Sequence, residues 1–442
     1  MIYLYNKLIM KRTVSLKIII IIFNLFLSLF YFVKKKSHDK TFILHPKKKI
    51  KCNSIACRLR KDELRRIPKY ILLMDFYINP YCNDLNAYYI FNYYLKNNNQ
   101  NAYYIINCKS DLYKNLVKQN RTQNLLPVNT NDNIINKLYN YFLNSKIIIN
   151  SYVLIFIQKL VNEVPFLKYL YLTHAVGYFK KKIIAFELKT LKSNKRNIIV
   201  SSPYEYNFYK KHLNYSDNYM HKAGLPRYDR FNSIKKNNSE KQCILITFTY
   251  RKYSYELYKK SLFKKNIEHL LRNKLLINFL KEKKIDLIYI PHHFDVFRNR
   301  TINPKKFPYV KYTRQELLGH YIEQCSLFIT DFSSISIDFM FLNKPSLFYL
   351  IDLKDKIKFE EREYMQYDYE HYFGNVFVNQ KELIERVKYY ANREFKIDNE
   401  LKKNYESLFY YKKNITEKII DIINEIIKKK INVVYSKDNK LI

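Results

Sequence analysis

The chain has 442 residues, enough for two or three domains, and its 48% hydrophobic content is typical of a globular protein. The formal net charge is +40, from 79 Lys and Arg against 39 Asp and Glu. Such a charge favours an anionic partner, but the basic residues are scattered and no nucleic-acid-binding motif accompanies them, so we expect no nucleic-acid partner. The six cysteines lack CxxC spacing, which indicates reduced thiols and argues against a disulfide framework or a zinc site.

The first element is an apolar stretch at residues 16–33, which three lysines follow. No small-residue cleavage site precedes these lysines, so we predict an uncleaved membrane-anchoring helix within an anchor and connector segment at residues 1–66. Basic residues flank both ends, so the positive-inside rule does not decide orientation. A segment lying in the cytoplasmic leaflet and a buried helix of the soluble part both stay open.

Residues 67–222 are predicted to form a first α/β domain, because apolar strand patterns alternate with helical ones. The predicted strands are Tyr70–Met74, Ala102–Ile106, Lys146–Asn150 and Tyr169–Leu172. The predicted helices are Leu85–Leu95, Asp111–Lys118 and Ile134–Leu143. His174 follows the last of these strands and lies at its carboxyl end. The turn dipeptide Pro226-Arg227 marks the approach to a second domain.

The second domain, residues 223–398, is predicted to repeat this layout. Its strands are Cys243–Phe248 and Asp286–Ile290, and its helices are Asn266–Lys281 and Gln315–Cys325. The first strand runs into Thr249-Tyr250-Arg251 and the second into Pro291-His292-His293. In a doubly wound sheet the carboxyl ends of the strands share one edge, so we expect these side chains to face one ligand.

The stretch Leu327–Asp352 is predicted to be a strand, a polar turn, a helix from Ile335 and a second strand from Ser346. Such a unit implies a parallel sheet. Ser333 and Ser334 stand at the helix start, where hydroxyls and free N–H groups suit a phosphate. The alternative is that Asp331 or one of the serines merely caps the helix. Local sequence leaves both interpretations open.

Residues 399–442 are predicted to hold C-terminal packing helices and a tail. The pattern indicates a helix at Ile415–Lys428 with an isoleucine stripe. Asn414 is its predicted N-cap, with Glu417 completing a capping box.

Several short motifs resemble those of the CDP-glycerol glycerophosphotransferases, enzymes of teichoic-acid and related capsule synthesis. A family segment D-x-SS-x-x-x-D is matched by Asp331, Ser333, Ser334 and Asp338. The block G-x-PR-x-D is matched from Gly224 to Asp229, and Thr249-Tyr250-Arg251 is similar to T-W-R with Tyr for Trp. His292 and His174 occupy the two histidine blocks, although Ala175 stands where the family has Gly and His293 competes with His292.

The resemblance implies a GT-B-like fold, two Rossmann-like domains facing a cleft, and transfer of a polyol-phosphoryl group from a CDP-linked donor with release of CMP. The implied partners are this donor, a polymer or lipid-linked acceptor and a membrane surface. The apolar stretch at residues 16–33 predicts a location at the cell membrane with the catalytic domains on the cytoplasmic side, and no metal or cofactor is required.

Roles for the motif residues follow from the same resemblance. We expect His174 to activate the acceptor hydroxyl and His292 to act on the donor phosphates. The expected phosphate-binding residues are Arg227, Thr249, Arg251, Ser333 and Ser334. The expected supporting residues are Gly224, Asp331 and Asp338. Two alternatives remain, a GT-B glycosyltransferase that uses a nucleotide-sugar and a non-catalytic protein that binds anionic lipid.

Overall fold

The computed structural model describes eleven parts of the chain. They are residues 68–75, 86–129, 132, 137–152, 157, 167–173, 196–232, 242–251, 254–331, 333–352 and 375–429. All of them belong to one compact unit, Leu59–Ile442. The predicted anchor at residues 16–33 and the predicted catalytic His174 lie outside the described residues. No helix within the described parts has the length and apolar character needed to span a bilayer.

A seven-stranded sheet forms the first half of the described chain. Its strands are β1 (Tyr70–Met74), β2 (Ala102–Asn107), β3 (Leu125–Val128), β4 (Ser145–Asn150), β5 (Lys168–Tyr171), β6 (Asn197–Val200) and β7 (Met220–Lys222). Their order is β3-β2-β1-β4-β5-β6-β7, and every pair is parallel. The helices between them are α1 (Asn86–Lys96), α2 (Asp111–Lys118), α3 (Tyr139–Leu143) and α4 (Pro203–Leu213).

A six-stranded parallel sheet forms the second half. Its strands are β8 (Cys243–Ile246), β9 (Asp286–Tyr289), β10 (Val310–Tyr312), β11 (Leu327–Thr330), β12 (Ser346–Tyr349) and β13 (Asn375–Phe377), in the order β10-β9-β8-β11-β12-β13. The helices are α5 (Tyr228–Asn232), α6 (Tyr255–Lys260), α7 (Leu262–Leu271), α8 (Lys274–Glu282), α9 (His293–Phe297), α10 (Leu318–Gln324), α11 (Ile335–Phe341), α12 (Gln380–Asn392), α13 (Asn399–Ser407) and α14 (Ile415–Lys428).

The strands are continuous apolar runs because helices cover both faces of each sheet. Ile147, Ile148 and Ile149 in β4 are all fully buried, although successive side chains of a strand point to opposite faces. One buried apolar cluster runs from β4 through Leu225 to Phe328 of β11. This cluster joins the two sheets into one core, so the side chains that link them lie in a dry environment.

The predicted parallel α/β architecture is confirmed, and so is the strand-turn-helix-strand unit at β11, α11 and β12. The single helix predicted at Asn266–Lys281 is wrong, since α7 and α8 are separate helices. Asn273 ends the run by capping α8, accepting from the Leu276 N–H at 3.1 Å. The predicted domain limits stay predictions, with the first sheet before residue 223 and the second after it.

The C-terminal helix α14 packs on α1 and β5 of the first half and on α5. The predicted Asn414 capping box is wrong, because Asn414 adopts a left-handed backbone with φ of 53° and makes no side-chain cap bond. Asp229 caps the helix instead, accepting from the N–H groups of Ile415 at 3.0 Å and Thr416 at 2.6 Å. At the other end the Lys168 ammonium donates to three carbonyls, including Ile426 at 2.7 Å. An anion at the start and a cation at the end both complement the helix dipole.

Candidate active site

The carboxyl ends of β8 and β11 are joined by Thr249 and Asp331. The Thr249 N–H donates to one Asp331 carboxylate oxygen at 2.8 Å, and the Thr249 hydroxyl donates to the other, also at 2.8 Å. Both residues are buried. The polar segments after two neighbouring strands therefore form one hydrogen-bonded edge, as parallel topology predicts.

Arg251 is the cation at the centre of this edge. It is fully buried, and its Nε and Nη2 donate to the two oxygens of Asp352 at 2.7 and 2.6 Å. Its Nη1 lies 2.7 Å from Asp331 Oδ2 and donates to the Thr249 carbonyl at 2.8 Å. Burial opposes the positive charge, but the carboxylates of Asp331 and Asp352 outweigh it and raise the Arg251 pKa above its ordinary value. The guanidinium stays charged at every working pH.

The predicted phosphate-binding role of Arg251 has to be weighed against this geometry. All three guanidinium nitrogens have protein partners within 2.8 Å, and the group lies inside the protein. Asp352, at the end of the family-like segment, is the partner that sequence reasoning left out of the site. The sequence shows Asp352 as an acidic residue at a strand end. It does not show the pairing, because Arg251 lies 101 residues away along the chain.

Arg300 is a second buried arginine at this edge, and sequence reasoning missed it. Its Nη1 donates to the Arg251 carbonyl at 3.1 Å, and its guanidinium lies 4.8 Å from the Tyr250 ring centre. Its Nη2 is 3.4 Å from Asp295. Burial raises the pKa of the Asp295 carboxyl to about 7, and the positive charge of Arg300 opposes this shift. Arg300 therefore ties the segment after β8 to the helix after β9. No local pattern distinguished it from the other basic residues.

His292 lies at the N-terminus of α9, half-buried. Its Nδ1 accepts from the Phe294 N–H at 3.2 Å. The neutral ring then carries its proton on Nε2, which leaves Nε2 as a donor. The ring centre of His292 lies 5.8 Å from that of Tyr250 and 4.4 Å from that of His293. The two histidines stack on each other, so geometry brings both to the predicted edge.

The serine turn, Ser333 and Ser334, joins β11 to α11. Ser334 is the N-cap residue of α11 and its side chain makes no cap bond, whereas the Ser333 hydroxyl accepts from the Ile335 N–H at 3.3 Å. The Ser333 carbonyl accepts from the Ser336 hydroxyl at 2.8 Å. The Asp331 carboxylate faces Thr249 and Arg251, and its predicted role in capping or positioning the serine turn stays a prediction.

Arg227 contacts α11 from the other side. Its Nη2 lies 2.8 Å from Asp338 Oδ1, and the two side chains are 11% and 6% exposed. Gly224, three residues earlier, packs against Ile415, and a Cβ at Gly224 would lie 3.0 Å from the Ile415 Cδ1. These G-x-PR-x-D residues therefore hold other elements in the structure, and the phosphate contact predicted for Arg227 stays a prediction.

The corresponding edge of the first sheet is organised by Asp75. This buried carboxylate accepts from the N–H groups of Ala87 and Tyr88 at 3.1 and 3.0 Å, which anchors the start of α1. Burial raises the Asp75 pKa to about 6, and these hydrogen bonds oppose the shift. Asn86 in turn donates to the Thr173 carbonyl at 3.1 Å.

Thr173 has φ of 60°, an uncommon backbone for a β-branched residue. Such strain persists only where the surrounding structure imposes it, and it is typical of functional sites. Thr173 directly precedes His174, which itself lies outside the described residues. Among the described residues no group of three or more His, Cys, Asp or Glu side chains has the arrangement of a metal site.

The family CDP-Glycerol:Poly(glycerophosphate) glycerophosphotransferase matches residues 75–425, most of the chain. The chain belongs to this family. The match begins at Asp75, which anchors α1, and ends within α14, so every described strand except β1 lies inside the matched region. The resemblance predicted from short motifs is confirmed.

Two Bacillus subtilis (strain 168) proteins illustrate the relationship. Minor teichoic acid biosynthesis protein GgaB is 26% identical over 256 residues, 54% of this chain and 27% of its own length. Teichoic acid glycerol-phosphate primase is 29% identical over 241 residues, 50% of this chain and 59% of its own length. The chain therefore spans less than two thirds of the curated relatives it matches.

Among solved structures, the wall teichoic acid polymerase TagF matches with a TM-score of 0.61 at 16% identity, covering 84% of this chain and 91% of that one. A TagF variant soaked with CDPG matches with a TM-score of 0.59 at 14% identity, covering 84% of this chain and 90% of that one. At this identity the likeness establishes the fold, so this chain shares the α/β architecture of TagF.

Proposed function

We propose that this chain transfers a glycerophosphoryl or related polyol-phosphoryl group from a CDP-linked donor to a hydroxyl of a cell-surface polymer or lipid-linked acceptor, releasing CMP. The observation that carries the proposal is the convergence of three family motifs at one edge of the second sheet. Thr249, His292 and the serine turn come from three different strand ends. Arg251 and Thr249 both contact Asp331, two residues before Ser333, and the His292 ring centre lies 5.8 Å from that of Tyr250.

The chemistry needs donors that stabilise charge on the pyrophosphate as CMP leaves. The Nε2–H of His292 is such a donor, since Nδ1 is occupied by the Phe294 N–H. The exposed guanidinium of Arg298 lies 5.4 Å from the Tyr250 ring centre and supplies a cation at the same surface. The buried charge of Arg251 is offset by the carboxylates of Asp331 and Asp352, so its contribution is mainly to hold these groups in place.

The acceptor side of the reaction needs a base that takes the proton of the attacking hydroxyl. His174 is our candidate, because it directly follows the strained Thr173 at the carboxyl end of β5. Support for the donor also comes from the TagF structure soaked with CDPG, a protein with the same fold. A polymer acceptor is supported by the name of the wall teichoic acid polymerase TagF. The lipid-linked alternative is what the family resemblance implies.

The proposed location is the cytoplasmic side of the cell membrane. Residues 16–33 are apolar and lysines follow them, which suits an anchor or a segment lying in the leaflet. A membrane surface would bring a lipid-linked acceptor to the enzyme. Sedimentation with anionic vesicles of the full chain, compared with a chain lacking residues 1–66, tests this part alone.

The decisive experiment incubates the purified full chain with membrane extract and a panel of CDP-glycerol, CDP-ribitol and nucleotide-sugars, and measures nucleotide release. We expect CMP from a CDP-linked alcohol. His292→Ala should lower the rate by about 100-fold or more, the usual contribution of a positioned proton donor. His269→Ala is the matched control, because His269 is exposed on α7, and it should leave the rate unchanged.

Two outcomes would contradict the proposal. Release of nucleotide from a nucleotide-sugar but not from any CDP-alcohol would assign the chain to glycosyl transfer. Unchanged CMP release in His292→Ala and in His174→Ala would remove the proposed mechanism. His293→Ala, assayed beside His292→Ala, decides which of the stacked histidines serves the donor.

A further inference from the structure

The segment between the two sheets, residues 224–232, holds four different elements, and we call it the joint. Gly224 and Asp229 contact the start of α14. Arg230 donates to the Gly319 carbonyl of α10 at 3.2 Å and to the Tyr89 hydroxyl of α1 at 3.3 Å. The joint therefore links helices that belong to both sheets.

Two adjacent residues of the joint, Arg227 and Tyr228, contact side chains of α11. Arg227 pairs with Asp338 at 2.8 Å, and Tyr228 stacks on Phe341 with ring centres 4.2 Å apart and planes at 25°. Asp338 and Phe341 are three residues apart and so lie on one face of α11. The Arg227 guanidinium also lies 5.2 Å from the Tyr228 ring centre. The ionic and aromatic contacts thus form one buried cluster.

The helix held in this way carries the serine turn at its start. Ser333 is tied to α11 by its hydroxyl, which accepts from the Ile335 N–H, and by its carbonyl, which accepts from the Ser336 hydroxyl. A shift of α11 therefore shifts both serines. The Arg227–Asp338 ion pair is largely shielded from water. Removing one partner would therefore leave a buried charge unpaired.

We propose that Arg227 and Asp338 act as one positioning unit that sets the serine turn relative to the first sheet, and that Arg227 does not itself contact the donor. This inference rests on the proposed function, since the serine turn is its donor phosphate site. It assigns the G-x-PR-x-D block to positioning, with Arg227 acting through α11.

A double-mutant cycle tests the unit. Arg227→Gln, Asp338→Asn and the double variant are compared for kcat, for KM toward CDP-glycerol and for CDP-glycerol affinity by calorimetry. We expect each single change to weaken the donor parameters by about tenfold or more, and the double variant to be no worse than the poorer single. Such a coupling of tenfold corresponds to about 1.4 kcal/mol, within the range for residues in contact. KM for the acceptor should not change.

The matched control is the exposed pair Lys210 and Asp217, which has the same 2.8 Å separation at 54% and 51% exposure. Lys210→Gln and Asp217→Asn should leave the donor parameters unchanged. Phe341→Leu is a second probe that removes no charge. It loosens the same helix, so it should reproduce the donor defect if the unit acts by position.

The inference would be overturned if the two single changes had multiplicative effects, if Arg227→Gln were far worse than Asp338→Asn, and if Phe341→Leu behaved like the wild type. Such a result would assign Arg227 to direct phosphate contact. If the wild-type chain bound CDP-glycerol without releasing CMP, the proposed function would be overturned. The CDP-glycerol affinities of the variants would then still show whether Arg227 and Asp338 act as one positioning unit. Wild-type chain that neither binds nor cleaves CDP-glycerol would overturn both.

Discussion

Replacing Arg251 by Lys tests whether the central cation of the candidate site is a scaffold or a ligand. The guanidinium spans two buried carboxylates, with bonds of 2.7 and 2.6 Å to Asp352 and a contact of 2.7 Å to Asp331. A lysine ammonium keeps the charge but is a single point with no planar fork. It cannot pair with both carboxylates in the same geometry, so at least one of them loses its partner.

The expected loss of stability is large because the network is dry. Removing a partner from a buried pair costs about 3–5 kcal/mol, whereas exposed pairs contribute about 0.2–1 kcal/mol. Arg251→Lys retains part of the attraction, so we expect a loss of about 3 kcal/mol, and Asp352→Asn should be similar. Arg272→Lys is the control, since Arg272 is 52% exposed and pairs with Glu268 at 3.3 Å. It should change stability by less than about 0.5 kcal/mol.

The measurement is urea unfolding followed by far-UV circular dichroism, because the chain has no Trp. Hydrogen exchange at the amides of β8 and β11 locates the loss. If Arg251→Lys keeps the wild-type unfolding midpoint and exchange pattern but no longer binds CDP-glycerol, the scaffold reasoning is refuted. Arg251 would then contact the donor, as the family resemblance implies.

Two further predictions concern the first sheet. Thr173→Gly should be more stable than Thr173→Ala by about 1 kcal/mol in urea unfolding, because the φ of 60° penalises any Cβ; equal midpoints would show that the backbone carries no such penalty. Burial, with help from Lys429, lowers the His221 pKa to about 4 while Glu425 opposes the shift, so the folded state disfavours protonation. Wild-type stability should therefore fall as pH drops from about 6.5 toward 4, where only the unfolded chain gains the proton. In His221→Asn the urea midpoint should depend less on pH over this range. An unchanged pH dependence would contradict the assignment of this loss of stability to His221.

The sequence by itself determined the class of fold and the position of the candidate site along the chain. Apolar runs such as Ile147–Ile149 require burial on both faces, which only a helix-covered parallel sheet provides. Polar residues placed directly after β8, β9 and β11 then had to meet at one edge. The strand-turn-helix unit around Ser333 was readable for the same reason, since its signals are local.

Only the tertiary structure decided which charges meet. Arg251 pairs with Asp352, which lies 101 residues away in the sequence, and Arg227 pairs with Asp338, 111 residues away. Asp229 caps α14 at Ile415, 186 residues away. A local pattern favoured Asn414 as that cap, but the carboxylate delivered by the joint occupies the helix start instead. Buried charges must be paired, yet one-dimensional order does not say with which partner, because that depends on how the two sheets pack.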